Sequence, residues 1–208
     1  MSQYLIFAIG FFAQLLFTAR MLVQWIASER AKKLLSPLLF WRLSMAAAFL
    51  LCIYGWLRND FVIILGQLIA YYIYIWNLKT LNHWEKMPRI MQYTVKLVPI
   101  VAIIYFLFDW QETFARLFAQ ENIPLALMIF GLIGQFTFTL RFIFQWQYSR
   151  RAGESALPVM FWVISLIGSA MIITYAVIRK DPVLLLGQTT GFIVYVRNIM
   201  IGAREKEL

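Results

Sequence analysis

Apolar residues in this chain gather into runs of about 18 residues or more, separated by short polar stretches. A helix built from such a run is long enough to cross a ~30 Å hydrocarbon layer. Hydropathy and chain breakers predict seven segments, at about 4–27, 37–57, 61–78, 90–108, 124–148, 158–178 and 183–201. Pro37, Pro124, Pro158 and Pro182 fall at or near segment starts, where a missing backbone N–H costs least. Pro99 lies inside the fourth segment and is expected to kink it.

Composition agrees with a membrane as the main solvent. Of 208 residues, 62% are hydrophobic and only 14% charged, with a mean hydropathy of +0.72. A soluble domain carries about 25% charged residues. The first segment follows Met1-Ser2-Gln3-Tyr4 without a basic leader and exceeds a signal-peptide core, so a retained helix is expected. Cys52 is the single cysteine, which excludes an intrachain disulfide and speaks against a cysteine-based metal site.

Net charge is +9. With seven spans, alternate loops face opposite sides. One side carries Arg30, Lys32, Lys33, Lys79, Lys86, Arg89, Lys96, Arg150, Arg151, Arg204 and Lys206; the other carries Arg58, Arg116, Arg179 and Lys180. The positive-inside rule then predicts an outside N-terminus and a cytoplasmic C-terminus. The excess charge reads as cytoplasmic loop charge, and no motif points to nucleic acid as a partner.

Residues 10–78 align without a gap on residues 131–199, at a constant offset of 121. About 23 of the 69 aligned positions are identical, more than restricted apolar composition readily produces. The matching polar residues are the more telling part, because apolar positions coincide easily. Two such units joined by an extra segment give an all-α, integral membrane fold with parallel three-helix repeats, 3+1+3. The expected organisation is a first repeat at 1–78, a loop and linker helix at 79–123, a second repeat at 124–201 and a cytoplasmic tail at 202–208.

The repeated pattern is Arg-x-x-x-Gln-Trp-x-x-Ser, Pro-x-x-Phe-Trp-x-x-Ser, Asp-x-x-x-x-Leu-Gly-Gln and Tyr-x-x-Asn. It spans Arg20–Ser28, Pro37–Ser44, Asp60–Gln67 and Tyr74–Asn77, then Arg141–Ser149, Pro158–Ser165, Asp181–Gln188 and Tyr195–Asn198. It resembles the lipid-A-disaccharide synthase N-terminal-type domain family, grouped with the PQ-loop, SWEET and KDEL-receptor superfamily. The resemblance implies triple-helix bundles with the N-terminus out and the C-terminus in. It also implies handling of lipopolysaccharide or lipid-linked sugars, beside enzymes that glycosylate lipid A or lipid carriers. The copies differ where Glu29 becomes Arg150, Leu34 becomes Ser155 and Trp76 becomes Arg197. The synthase's soluble glycosyltransferase domain has no counterpart here, so disaccharide synthase activity is not expected.

Arg20 and Arg141 each precede a terminal serine by eight residues, roughly 12 Å along a helix. An arginine at this depth either snorkels toward the headgroups or faces a bundle interior, a partner or a wet path, and its recurrence in register favours the second reading. Two convergent guanidiniums suit a phosphate or other anion. Gln24 and Gln145, four residues on, share the arginines' face and either orient them or meet sugar hydroxyls. Trp25 and Trp146 are interfacial belt residues or sugar-stacking platforms. Gln67 and Gln188 serve as interhelical contacts or ligand contacts, beside Gly66 and Gly187. Tyr74 with Asn77, and Tyr195 with Asn198, share a helical face that can line a cavity, with Arg197 adding charge in one half. Asp60 and Asp181 cap the next helix, pair with Arg58 and Arg179, or gate. His83 lies in a charged loop and is expected to be solvated.

No residues fill hydrolase, zinc or acid–base templates, and no Gly-rich phosphate loop is present. A cofactor, a metal and enzymatic activity are therefore not expected. The favoured function is a flippase for a lipid-linked sugar, of the polyprenyl-phosphate aminosugar type, in the bacterial inner membrane. The alternatives are a carrier of a small sugar or organic anion, and a membrane scaffold for a lipid glycosyltransferase.

Overall fold

The structure, a computed structural model, describes residues 3–57, 61–108, 111, 124–180 and 182–205. Among the described residues it is all-α, with seven helices. They are α1 (Gln3–Ala31), α2 (Leu38–Leu57), α3 (Phe61–Thr80), α4 (Arg89–Phe108), α5 (Leu125–Ala152), α6 (Val159–Arg179) and α7 (Pro182–Glu205). Each falls on one of the seven predicted segments. By length and composition, Tyr4–Ala31, Leu38–Leu57, Leu125–Ala152 and Val159–Ile178 can cross a membrane, which marks a multi-pass membrane protein. Helices satisfy every backbone group within the segment, which hydrocarbon cannot do for them.

Both long helices outrun the apolar segments that predict them. The 29 residues of α1 span roughly 43 Å at 1.5 Å each, more than the hydrocarbon thickness. The extra turns hold Glu29-Arg30-Ala31 and Arg150-Arg151-Ala152, mostly strong helix formers that need no burial. Both helices stop at the same point of the repeat, where Lys32 (φ 55°) and Gly153 (φ 74°) enter the left-handed region. The prolines behave as expected: Pro124 and Pro158 immediately precede α5 and α6, and Pro182 opens α7. The fourth segment is one helix running through Pro99.

Contacts divide the chain into two compact units, Met1–Phe17 with Trp41–Ile123, and Thr18–Phe40 with Pro124–Leu208. In the first, Trp41, Ala47, Ala48, Cys52, Tyr71, Tyr74, Leu78 and Trp84 are buried. Trp41 and Tyr74 pack with ring centroids 6.0 Å apart. The Tyr71 hydroxyl donates to the Val95 carbonyl and ties α3 to α4. After α3 the chain folds back, with the Trp84 and His83 N–H groups both donating to the Leu78 carbonyl (3.1 and 2.9 Å).

In the second unit α6 packs against both α5 and α7. Gly168 lets α6 lie against the α5 backbone: a Cβ there would sit 2.7 Å from the Phe138 nitrogen. This close approach sets where Phe138 and its neighbours project into the unit.

Candidate functional site

The site starts from one spacing. Arg20, Gln24 and Ser28 on α1, and Arg141, Gln145 and Ser149 on α5, recur every fourth residue, so each trio forms one stripe along its helix. All six lie in the second unit. The arginines are 6% and 5% exposed and the other four are fully buried.

The lower part of each stripe holds the following loop. Gln24 Nε2 donates to Ser28 Oγ (2.9 Å) and the Leu35 carbonyl (3.4 Å), while Ser28 Oγ accepts the Leu35 N–H (3.0 Å). The second copy repeats this. Gln145 Nε2 donates to Ser149 Oγ (2.9 Å) and the Ala156 carbonyl (3.0 Å), and Ser149 Oγ accepts the Ala156 N–H (3.0 Å). Backbone that has left helical conformation loses its internal partners, and these side chains replace them.

Gln24 reaches further, to Asn198 Oδ1 on α7 (2.8 Å). Asn198 Nδ2 donates to the Val194 carbonyl (2.9 Å), which fixes Oδ1 as the acceptor. With acceptors all around Nε2, the Gln24 amide has one sensible orientation. Its Oε1 is then buried and accepts no hydrogen bond from the described residues.

The upper part of each stripe is cationic. The Arg141 carbon Cζ lies 3.4 Å from the Phe138 ring centroid, 4.7 Å from Phe142, 5.7 Å from Phe161 and 5.9 Å from Tyr195. Its Nη1 donates to the Tyr195 hydroxyl (3.4 Å). Arg20 Cζ lies 5.3 Å from Phe40 and 5.7 Å from the same Phe142 ring. The guanidiniums therefore converge on one aromatic side chain. Cation–π contacts are worth ~0.5–2 kcal/mol each, most where water is excluded. The buried polar set holds these two arginines and no Asp or Glu among the described residues.

Trp162 stands beside this cage, 4.8 Å from the Phe161 ring and 6.1 Å from Tyr195. It is fully buried, and its indole N–H meets no acceptor among the described residues. Such donors are rare in native interiors. The cluster thus combines two cations, an open N–H donor and an open amide acceptor. Among the described residues no group of three or more His, Cys, Asp or Glu is placed to hold a metal.

The family model described as Lipid A Biosynthesis N-terminal domain matches residues 9–79 and 130–200, more than half of the chain. The chain belongs to this family. The two matches are offset by the same interval as the internal repeat, and each contains one Arg–Gln–Ser trio. The chain is also 28% identical to the lipid-A-disaccharide synthase of Chlamydia felis over 214 residues, covering 99% of this chain and 34% of that protein. The synthase of Chlamydia pneumoniae is 26% identical over 211 residues, with 98% and 34% covered. The chain thus spans about a third of the length of the curated relatives it matches. No solved structure matches it.

Of the candidate residues in this Lipid A Biosynthesis N-terminal domain protein, Arg20, Arg141, Gln24, Gln145, Tyr195 and Asn198 gather in the buried cluster. Tyr74 and Asn77 are buried in the first unit, where Asn77 Nδ2 donates to the Ile73 carbonyl (2.9 Å). Trp25 and Trp146 are half-buried nearer the helix ends. Trp25 Nε1 donates to Glu29 (3.3 Å), and Arg150 Cζ lies 5.5 Å from the Trp146 ring centroid. Arg197 is held by Glu29 through two hydrogen bonds, Nε to Oε2 (2.7 Å) and Nη2 to Oε1. Two of the three departures named from the repeat, at Glu29 and Arg197, are thus partners. Gln67 and Gln188 are half-buried, and the Gln188 carbonyl accepts from Ser169 Oγ (3.4 Å). Asp60 and Asp181, with Arg58, lie outside the described residues.

Trp162 and the rings of Phe40, Phe138, Phe142 and Phe161 were not among the sequence candidates. The repeated Phe-Trp pair at 40–41 and 161–162, and the matched Phe17 and Phe138, carried a usable signal. Phe142 aligns with Met21 and carried none. His83, expected to be solvated, is half-buried and its Nδ1 meets Arg42 Nη2 at 2.9 Å.

Proposed function

We propose that the protein is a transporter that flips a lipid-linked sugar, of the polyprenyl-phosphate aminosugar class, across the bacterial inner membrane for lipid A or lipopolysaccharide modification. The reading takes all seven helices as spans, with parallel repeats at 1–78 and 124–201, the N-terminus outside and the C-terminus in the cytoplasm. The observation that carries it is the convergence of Arg20 and Arg141 on Phe142. Arginine stays charged when buried and offers planar, paired donors that match a phosphate ester. An anion between two like charges is attracted by both and relieves their repulsion. The open Trp162 N–H suits a further phosphate oxygen, and the open Gln24 Oε1 suits a sugar hydroxyl.

The near-zero exposure of the cluster supports an occluded conformation, because a ligand reaches these groups only when helices part. Rocking of parallel repeats about a common site supplies that motion. Recognition and release are all that the residues are asked to do; no bond is made or broken. The link to lipid A is supported by the family match, and the lipid-linked sugar is what the resemblance of the repeated motifs implies.

Flipping by the reconstituted protein tests the proposal. Arg20→Ala and Arg141→Ala are expected to abolish movement of a polyprenyl-phosphate sugar while folding normally. Transport at the wild-type rate in folded variants rejects the site.

One observation favours a second reading. The same segment forms about a third of proteins named lipid-A-disaccharide synthase, which suits a membrane platform that presents lipid to a glycosyltransferase. Loss of glycosyltransferase binding on changing the loop at 79–96, with Arg20→Ala binding normally, selects that reading.

A further inference from the structure

The first unit contains a groove of about 720 Å³, within the ordinary size range of ligand sites. Phe12, Leu16, Phe49, Leu50 and Met91 give it apolar walls. Arg42 is the charged side chain in the lining, and Thr94 is already engaged, its Oγ1 donating to the Ile90 carbonyl (2.9 Å). Arg42 is exposed in the second turn of α2, four residues or roughly 6 Å past the helix start, the depth from which an arginine reaches headgroups. It offers five N–H donors, of which one meets His83 Nδ1 at 2.9 Å.

The surroundings of Arg42 are positive. Met87 and Pro88 line the groove and are flanked by Lys86 and Arg89, both exposed, against the single acid Glu85 in the same loop. Partial drying, and after it the Arg42 and Lys86 charges, disfavours protonation of His83. None of this is repeated. The position matching Arg42 is Val163, and α4 lies outside the duplicated segments. The groove therefore belongs to the first unit by itself and stands outside the repeated pattern.

We infer that this groove binds an acidic glycerophospholipid, with its phosphate on Arg42 and an acyl chain along the apolar walls. Basic pockets between membrane helices on the cytoplasmic side select such headgroups, and guanidinium pairs with phosphate through two parallel hydrogen bonds. A zwitterionic lipid brings its own cation into a site already rich in them. A lipid whose headgroup stays at the surface fits Arg42's shallow position, whereas the arginine pair lies deeper in its helices.

The test reconstitutes the full chain in nanodiscs of equal phosphatidylglycerol and phosphatidylethanolamine and counts retained lipids by native mass spectrometry. Wild type is expected to retain phosphatidylglycerol preferentially. Arg42→Gln should lower its retention about tenfold, in line with loss of one charge-assisted hydrogen bond. Ala46→Trp, which fills the groove from its lining, should remove the bound lipid by a different route. Arg42→Gln should flip the polyprenyl-phosphate sugar at the wild-type rate while losing phosphatidylglycerol, which keeps this result separate from the transport site. Equal retention of the two lipids by wild type, or wild-type retention by folded Arg42→Gln and Ala46→Trp, overturns the inference. Displacement of phosphatidylglycerol by an equimolar polyprenyl phosphate overturns the choice of occupant.

Discussion

Replacing Trp162 with phenylalanine separates a ligand contact from a packing residue, because the two roles predict opposite outcomes. The substitution keeps an aromatic ring against Phe161 and Tyr195 but removes the buried N–H that no described acceptor meets. In the empty protein two effects oppose. Lost volume destabilises by ~1–3 kcal/mol, as smaller cavity-forming changes do. Removing a buried unsatisfied donor returns a similar ~1–3 kcal/mol. The melting midpoint should therefore move little. In the bound state a hydrogen bond to a charged oxygen, worth ~1.5–3 kcal/mol, disappears. That corresponds to an affinity loss of roughly 10- to 150-fold. Equilibrium binding of a polyprenyl-phosphate sugar to the detergent-solubilised protein, measured beside thermal melting of the same samples, reads both quantities. A variant that melts well below wild type yet binds normally refutes the reasoning, since Trp162 then only fills space.

Gly168→Ala places a methyl group 2.7 Å from the Phe138 nitrogen and 2.8 Å from its Cα, backbone atoms that cannot swing aside. Overpacking of ~1–3 kcal/mol against a helix-propensity gain of ~1 kcal/mol should leave a net loss of stability, read by thermal melting. Ala47, at the matching position of the first repeat, shows that the constraint belongs to the second copy alone. Lys32→Gly should stabilise by ~0.5–1 kcal/mol, whereas Gly153→Ala should destabilise by ~1 kcal/mol, because both positions are left-handed and only one carries the residue suited to it. Chemical denaturation checks the pair, and shifts of like sign contradict the assigned backbone. His83, the single histidine, is held below its ordinary pKa by partial drying and then by the Arg42 and Lys86 charges. Its neutral form accepts from Arg42, so this contact is complete above pH ~6.5 and is lost as pH falls through the lowered value. Imidazole NMR signals should titrate below those of a free histidine in wild type and move upward in Arg42→Gln.

The helices were legible because long apolar runs and prolines at their edges leave few alternatives in lipid. All seven described helices lie where hydropathy predicts them. The arginine stripe was legible for a different reason. Polar residues repeated at one offset within apolar helices are costly, so their coincidence carries information that matched leucines do not. What each residue does was less visible. Gln24 and Gln145 read as orienting the arginines or meeting sugar hydroxyls, and the loops at Leu35 and Ala156, which take much of their donor capacity, were not visible in the spacing. Arg197 looked like added charge for a ligand, but Glu29, which is 168 positions away, meets it. Spacing along one helix reports which side chains share a face; it does not report what faces them from another helix.

The sequence alone determined that this chain forms membrane-length helices in two related copies and that each copy repeats Arg, Gln and Ser at one spacing along a helix. Those properties depend on hydrophobicity and helical period, which are local. Tertiary structure decided that Arg20 and Arg141 meet at Phe142, that Trp162 keeps an open N–H beside them, and that Arg42 stands in the wall of an apolar groove. Each depends on which helix packs against which, and neighbours so chosen lie far apart in the chain.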